Sequence, residues 1–149
     1  MLTALLRPSA IRLDLDAATQ DEVLAQLVAL LRLEPTSAAM LQRMLKRRES
    51  LGSTGVGFGF AIPHTRCTLV SDLQLAFGRM PEGIAWSAID DKPVRYFFVI
   101  VAPPLEVSNQ YLPVLGRVAQ FVKEPDVRQR LGALETPAEL LALLREKGL

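Results

Sequence analysis

Apolar and polar residues alternate at Ile11, Arg12, Leu13, Asp14 and Leu15, the period of a half-buried strand. The period then changes. Between Asp21 and Leu33, Val23, Leu24, Leu27, Val28 and Leu31 recur at helical spacing, and Pro35 ends the segment. Ser37 can cap a second helix from Ala38 to about Glu49, with Met40, Leu41, Met44 and Leu45 on its inner face. Gly52 stops it. From Gly52 to Arg66, Val56, Phe58, Phe60 and Ile62 alternate with small residues, which predicts one extended strand with a nearly bare face.

Leu73 to Met80 is a further strand candidate. Val94 to Ala102 is almost wholly apolar and β-prone, so it predicts a central strand buried on both faces. Pro103 and Pro104 end it. A helix is expected from near Asn109 to about Lys123, with Pro113 in its first turn, where a missing N–H costs little. Pro125 opens a short helix through Arg130. Thr136-Pro137-Ala138-Glu139 is a capping box, and the helix it starts carries Leu140, Leu141, Leu143 and Leu144. Strands and helices are mixed along the whole chain. The expected fold is a single-domain α/β sandwich over residues 1–149, a central mixed sheet flanked by helices on both faces.

Charge adds little. Seventeen Lys and Arg against 16 Asp and Glu leave a net +1, so no global field draws the chain to nucleic acid or membrane. The cluster Arg43 to Arg48 lies in a helical pattern. No apolar run reaches the roughly 18 residues of a membrane span, and the first residues lack the basic and apolar regions of a signal peptide. With one cysteine, Cys67, no internal disulfide can form, which suits a reducing compartment. The reading is a soluble cytoplasmic protein. One Cys and one His without gathered carboxylates make no zinc motif, and Cys67 reads as a buried, inert thiol.

The chemistry centres on His64, the only histidine. It can be a structural residue satisfied by hydrogen bonds. It can equally be a nucleophile, because a neutral imidazole nitrogen attacks phosphorus near pH 7 without a separate base. Gly55, Gly57 and Gly59 allow close approach of a ligand or of another strand. Ser53 and Thr54 offer hydroxyl and backbone N–H groups to phosphate oxygens. Arg48 is a surface charge or a bidentate phosphoryl contact. The stretch is no nucleotide loop: the P-loop lysine is missing, and the third glycine comes one residue early for a dinucleotide fingerprint.

Arg48-Glu49-Ser50-Leu51-Gly52-Ser53-Thr54-Gly55-Val56-Gly57, followed by Ala61-Ile62-Pro63-His64-Thr65, closely resembles enzyme IIA of the sugar phosphotransferase system, mannitol/fructose class, which includes the nitrogen-regulatory IIA proteins. Ile84 to Val94 resembles the family's segment before its central strand, and the likeness runs from about residue 10 to residue 145. The resemblance implies that His64 takes a phosphoryl group from phospho-HPr, or from its nitrogen-branch relative, and passes it to a IIB partner. It implies an arginine, here Arg48, beside the active histidine, and it calls for no cofactor or metal. The alternative it carries is a regulatory module whose protein partners sense the phosphorylation of His64. The family commonly has a second histidine early in the later helix. In Ser108-Asn109-Gln110-Tyr111-Leu112, Tyr111 takes that place. A tyrosine can donate to a phosphoryl oxygen or orient His64 but brings no cation, so Arg48 is expected to carry more of the charge.

Overall fold

The apolar run Val94–Ala102 forms the axis of the sheet, and only Arg95 within it is exposed. The computed structural model describes residues 2–105 and 109–149; Ser108 lies outside them. In chain order the elements are β1 (Ile11–Arg12), α1 (Gln20–Ala29), α2 (Pro35–Leu51), β2 (Gly55–Gly57), β3 (Phe60–Ala61), β4 (His64–Arg66), β5 (Gln74–Ile84), β6 (Val94–Ala102), α3 (Tyr111–Phe121), α4 (Val127–Gly132) and α5 (Pro137–Glu146). The sheet order is β1-β5-β6-β3-β2, with β4 also paired to β6. β5 runs antiparallel to β6, whereas β3 and β4 run parallel to it. The sheet is therefore mixed, as expected.

Helices cover both faces. A Cβ on Gly78 would come within 2.6 Å of Leu27 and 2.7 Å of Leu15, which places α1 on that side of β5. The next side chain along points the other way. Phe77 meets Phe98 edge-on at 4.9 Å, and Phe98 meets Phe121 of α3 at 6.1 Å. α2 packs on α1 and against β4. Arg79 fastens α4 to β5 by donating to the carbonyls of Leu131 and Leu134, at 2.9 and 2.8 Å. The Leu131 carbonyl is one of the orphans at the α4 C-terminus, where a cation is favoured. No helix among the described residues is long and apolar enough to cross a membrane.

Several local expectations change. Pro35 opens α2 instead of closing the segment before it, because its fixed φ and missing N–H suit the first helical position. Its cap is Glu34, so Ser37 lies inside the helix. The buried stripe of α2 is Leu41, Leu45 and Glu49, while Met40 and Met44 face outward. The glycine-rich stretch is not one strand. Gly57, Phe58 and Gly59 have φ of 90°, 59° and 80°, and the chain reverses into a hairpin with Gly57 opposite Phe60. Positive φ at both loop residues is the mark of a type I′ turn, whose twist matches its strands. The last helix forms as read: Thr136 and Glu139 complete the capping box, and Leu140, Leu141, Leu143 and Leu144 are buried.

Candidate functional site

His64 opens β4, in register with Ile100, and Arg66 lies opposite Ala102. Strand side chains alternate, so His64 and Arg66 project from the same face and Thr65 from the other. The His64 ring is half-buried. Its Nδ1 lies 2.6 Å from the carbonyl oxygen of Ile62. A carbonyl only accepts, so the hydrogen sits on Nδ1 and the lone pair of the neutral ring is on Nε2. The backbone two residues upstream thus sets both the tautomer and the pose of the imidazole.

Tyr111, the first residue of α3, is buried beside this ring, with centroids 6.4 Å apart and planes tilted by 51°. The Arg66 guanidinium carbon lies 4.3 Å from the Tyr111 ring centroid, a cation–π contact. Burial pushes the Tyr111 phenol above its ordinary pKa, and the charges of Arg66 and Arg48 pull the other way. The hydroxyl therefore stays protonated in neutral water and remains able to donate. Arg66 stacks on the ring that neighbours His64, and the Arg48 charge also reaches this phenol.

Arg48 sits in the last turn of α2, where its Nη1 donates to the Gly52 carbonyl at 2.7 Å and ties down the helix end. Glu49, one residue on, is buried. Its carboxylate accepts the Thr54 N–H at 2.9 Å and the Thr54 hydroxyl as well. The Ser53 hydroxyl donates to the Trp86 carbonyl at 3.1 Å and accepts the Gly55 N–H at 3.0 Å. In this geometry the hydroxyls of Ser53 and Thr54 donate within the chain, and they fix the loop between α2 and β2. The Thr54 carbonyl in turn accepts the Ile62 N–H at 3.1 Å. The chain leading into His64 is thereby anchored to the end of α2.

Two of these residues carry a positional signal in the sequence. Arg66 stands two positions after His64, which is one strand period. Glu49 is the second residue of the Arg48–Gly57 motif, five positions before the Thr54 that it holds. Cys67 is buried, and its N–H pairs with the Ala102 carbonyl at 2.8 Å, so it takes no part in the site.

Chemically, the arrangement offers an oriented imidazole with a free Nε2 lone pair, a phenol donor and two guanidinium groups. That combination suits an incoming group with dense negative charge on oxygen. The family described as phosphoenolpyruvate-dependent sugar phosphotransferase system, EIIA 2, matches residues 4–147.

The chain belongs to this EIIA family.

Members of the family are phosphocarrier transferases. The fructose-specific EIIA component of Haloferax volcanii is 36% identical over 102 residues, 68% of this chain and 66% of the relative. The chain thus spans about two thirds of that relative's length, and smaller parts of the EIIABC relatives that it also matches. Nitrogen regulatory protein IIA-Ntr from Neisseria meningitidis superposes with a TM-score of 0.87 at 32% identity, covering 96% of this chain and 98% of the other. The Escherichia coli enzyme IIAMTL, solved in complex with phosphorylated enzyme IIBMTL, superposes with a TM-score of 0.77 over 95% of this chain and 99% of the other. At 23% identity it shows the shared fold.

Proposed function

We propose that this EIIA chain carries a phosphoryl group on Nε2 of His64, received from phospho-HPr or its nitrogen-branch relative and passed to a IIB acceptor in the cytoplasm. The observation that supports this most directly is the Ile62 carbonyl on Nδ1, which leaves Nε2 as the nucleophile. Attack forms a bond from Nε2 to phosphorus while the bond from phosphorus to the donor's histidine nitrogen breaks. The ring gains positive charge as the new bond forms, and the Nδ1–H, already held by the Ile62 oxygen, stabilises that charge. Arg48 and Arg66 balance charge on the phosphoryl oxygens, and the Tyr111 hydroxyl donates to one of them. Ser53 and Thr54 contribute the shape of the loop. The reverse displacement on an acceptor releases the group again.

A second reading keeps this chemistry and changes its use. The Neisseria meningitidis IIA-Ntr superposes at a TM-score of 0.87 and 32% identity, against 0.77 and 23% for IIAMTL, which favours a regulatory module whose partners distinguish phosphorylated from free His64. Incubation with phosphoenolpyruvate, enzyme I and HPr from the same source, read by intact mass, tests the shared step. The expected result is a gain of one phosphate that is lost in mild acid and absent in His64→Ala. Acid-labile phosphate retained by His64→Ala, or no gain from either HPr or its nitrogen-branch relative while that donor is itself phosphorylated, overturns the assignment. Transfer onward to a purified IIB then separates relay from regulation.

A further inference from the structure

A second cleft, of about 580 Å³, opens at the far end of β6, framed by Phe58, Tyr96, Asp90, Lys92, Arg95 and Arg128. The register puts Phe60 opposite Tyr96 and His64 opposite Ile100, so the cleft and His64 are four residues apart along β6, about 13 Å at strand rise. We propose that this cleft binds a small phosphate ester carrying a planar ring, the chemistry of a nucleoside monophosphate.

Phe58 carries the argument. It occupies the first loop position of the β2–β3 turn with φ of 59°, where Asn, Asp or Gly is the usual residue. A phenylalanine there bears backbone strain, and it gains little burial in return, because 42% of it is exposed. The Arg128 guanidinium carbon lies 5.0 Å from its ring centroid. Together they present a flat aromatic and guanidinium surface on which a heterocycle stacks.

The walls supply the charge. Lys92, Arg95 and Arg128 face one carboxylate, Asp90. None of these three cations enters an ion pair among the described residues. Asp90 offsets one of the three charges and leaves the lining net positive; its two oxygens accept the backbone N–H groups of Phe58 and Lys92 at 3.2 and 3.1 Å. It builds the rim. Arg95 is braced by donating to the Pro81 carbonyl at 3.0 Å, and the Tyr96 hydroxyl donates to the Arg128 carbonyl at 3.1 Å, which holds α4 against β6. The cleft is of ligand size and is lined by three cationic side chains and the Phe58 and Tyr96 rings. That is the donor set for a phosphate next to a stacked ring.

The full chain titrated with AMP at low salt, followed by amide NMR and calorimetry, tests this. Expected are saturable binding, shifts at Phe58, Gly59 and Lys92, and affinity about tenfold weaker in Phe58→Gly and in Lys92→Glu. Glycine suits the positive φ, so the thermal midpoint of Phe58→Gly is expected to hold, and its binding loss is then not one of folding. Phosphate acceptance by His64 should be unchanged in both variants, which keeps this site separate from the carrier reading. No saturable binding by about 5 mM, variants that bind as tightly as the parent, or inorganic phosphate binding as tightly as AMP would each overturn the proposal.

Discussion

The Arg66 guanidinium lies 4.3 Å from the ring centre of Tyr111, and the same ring stands 6.4 Å from that of His64. Tyr111 occupies the place where the resemblance puts a second histidine. The positive charge missing from the start of α3 is present on β4 instead, two residues beyond His64. In the proposed transfer, Arg48 therefore shares the charge with Arg66.

Arg66→Ala is expected to slow phosphoryl uptake by roughly 10- to 100-fold, the worth of one charge-assisted hydrogen bond, with unchanged circular dichroism. Arg66→Lys keeps the charge but loses the flat stack on Tyr111, so its rate should fall between the two. Rapid-quench measurement of phosphate transfer from phospho-HPr resolves this. Equal rates in all three proteins would mean that Arg66 is only a cover on the tyrosine.

Glu49 is expected to matter for stability first. Glu49→Ala leaves the buried Thr54 N–H and hydroxyl without their acceptor, a loss of about 1–3 kcal/mol. Glu49→Gln retains an accepting oxygen and should recover part of it. Urea unfolding of the three proteins measures the order. Because Thr54 also accepts the Ile62 N–H, transfer to His64 should fall in Glu49→Ala as well.

Two glycines should respond with opposite signs. A Cβ on Gly55 would lie 2.7 Å from the Cβ and 2.8 Å from the Cα of Ala88, so backbone must shift. Gly55→Ala is expected to cost about 1–3 kcal/mol. Gly116, inside α3, has nothing within 4 Å of such a Cβ. Gly116→Ala should stabilise by up to about 1 kcal/mol through helix propensity alone. Thermal melts of both variants decide this, and a matching loss at Gly116 would contradict the open environment.

Both tyrosines should titrate late. Burial raises Tyr96 and Tyr111 above the ordinary 10.0, against the pull of their neighbouring arginines. The unfolded chain then loses these protons first. The corresponding stability is complete below pH 10.0 and declines as pH rises past it toward the folded values. Phenolate absorbance in the folded protein should appear at higher pH than in the chain unfolded with guanidinium. Coincident curves would show that burial does not favour the neutral phenols.

Much of this protein is local and could be read from residue order. Val94–Ala102 is apolar throughout and became the buried axis of the sheet. Thr136, Pro137 and Glu139 specify their cap within four residues. His64 and Arg48 stood out because few residue types can do their chemistry. Other features depended on partners distant in sequence. The alternation of Val56, Phe58, Phe60 and Ile62 reads as one strand, yet the chain turns at Phe58. There the Gly59 carbonyl accepts the N–H groups of Arg95 and Tyr96, at 2.8 and 3.0 Å. Helical spacing alone could not choose between Met44 and Glu49 for the interior of α2. Burying Glu49 became favourable only once the Thr54 loop folded back to satisfy its carboxylate. Nor does period count reveal that Arg66 meets Tyr111, because one lies on a strand and the other at the start of a helix. Local sequence marked most of the elements and the candidate nucleophile, while tertiary packing decided which charges surround His64, since electrostatic contact depends on distance in space and not along the chain.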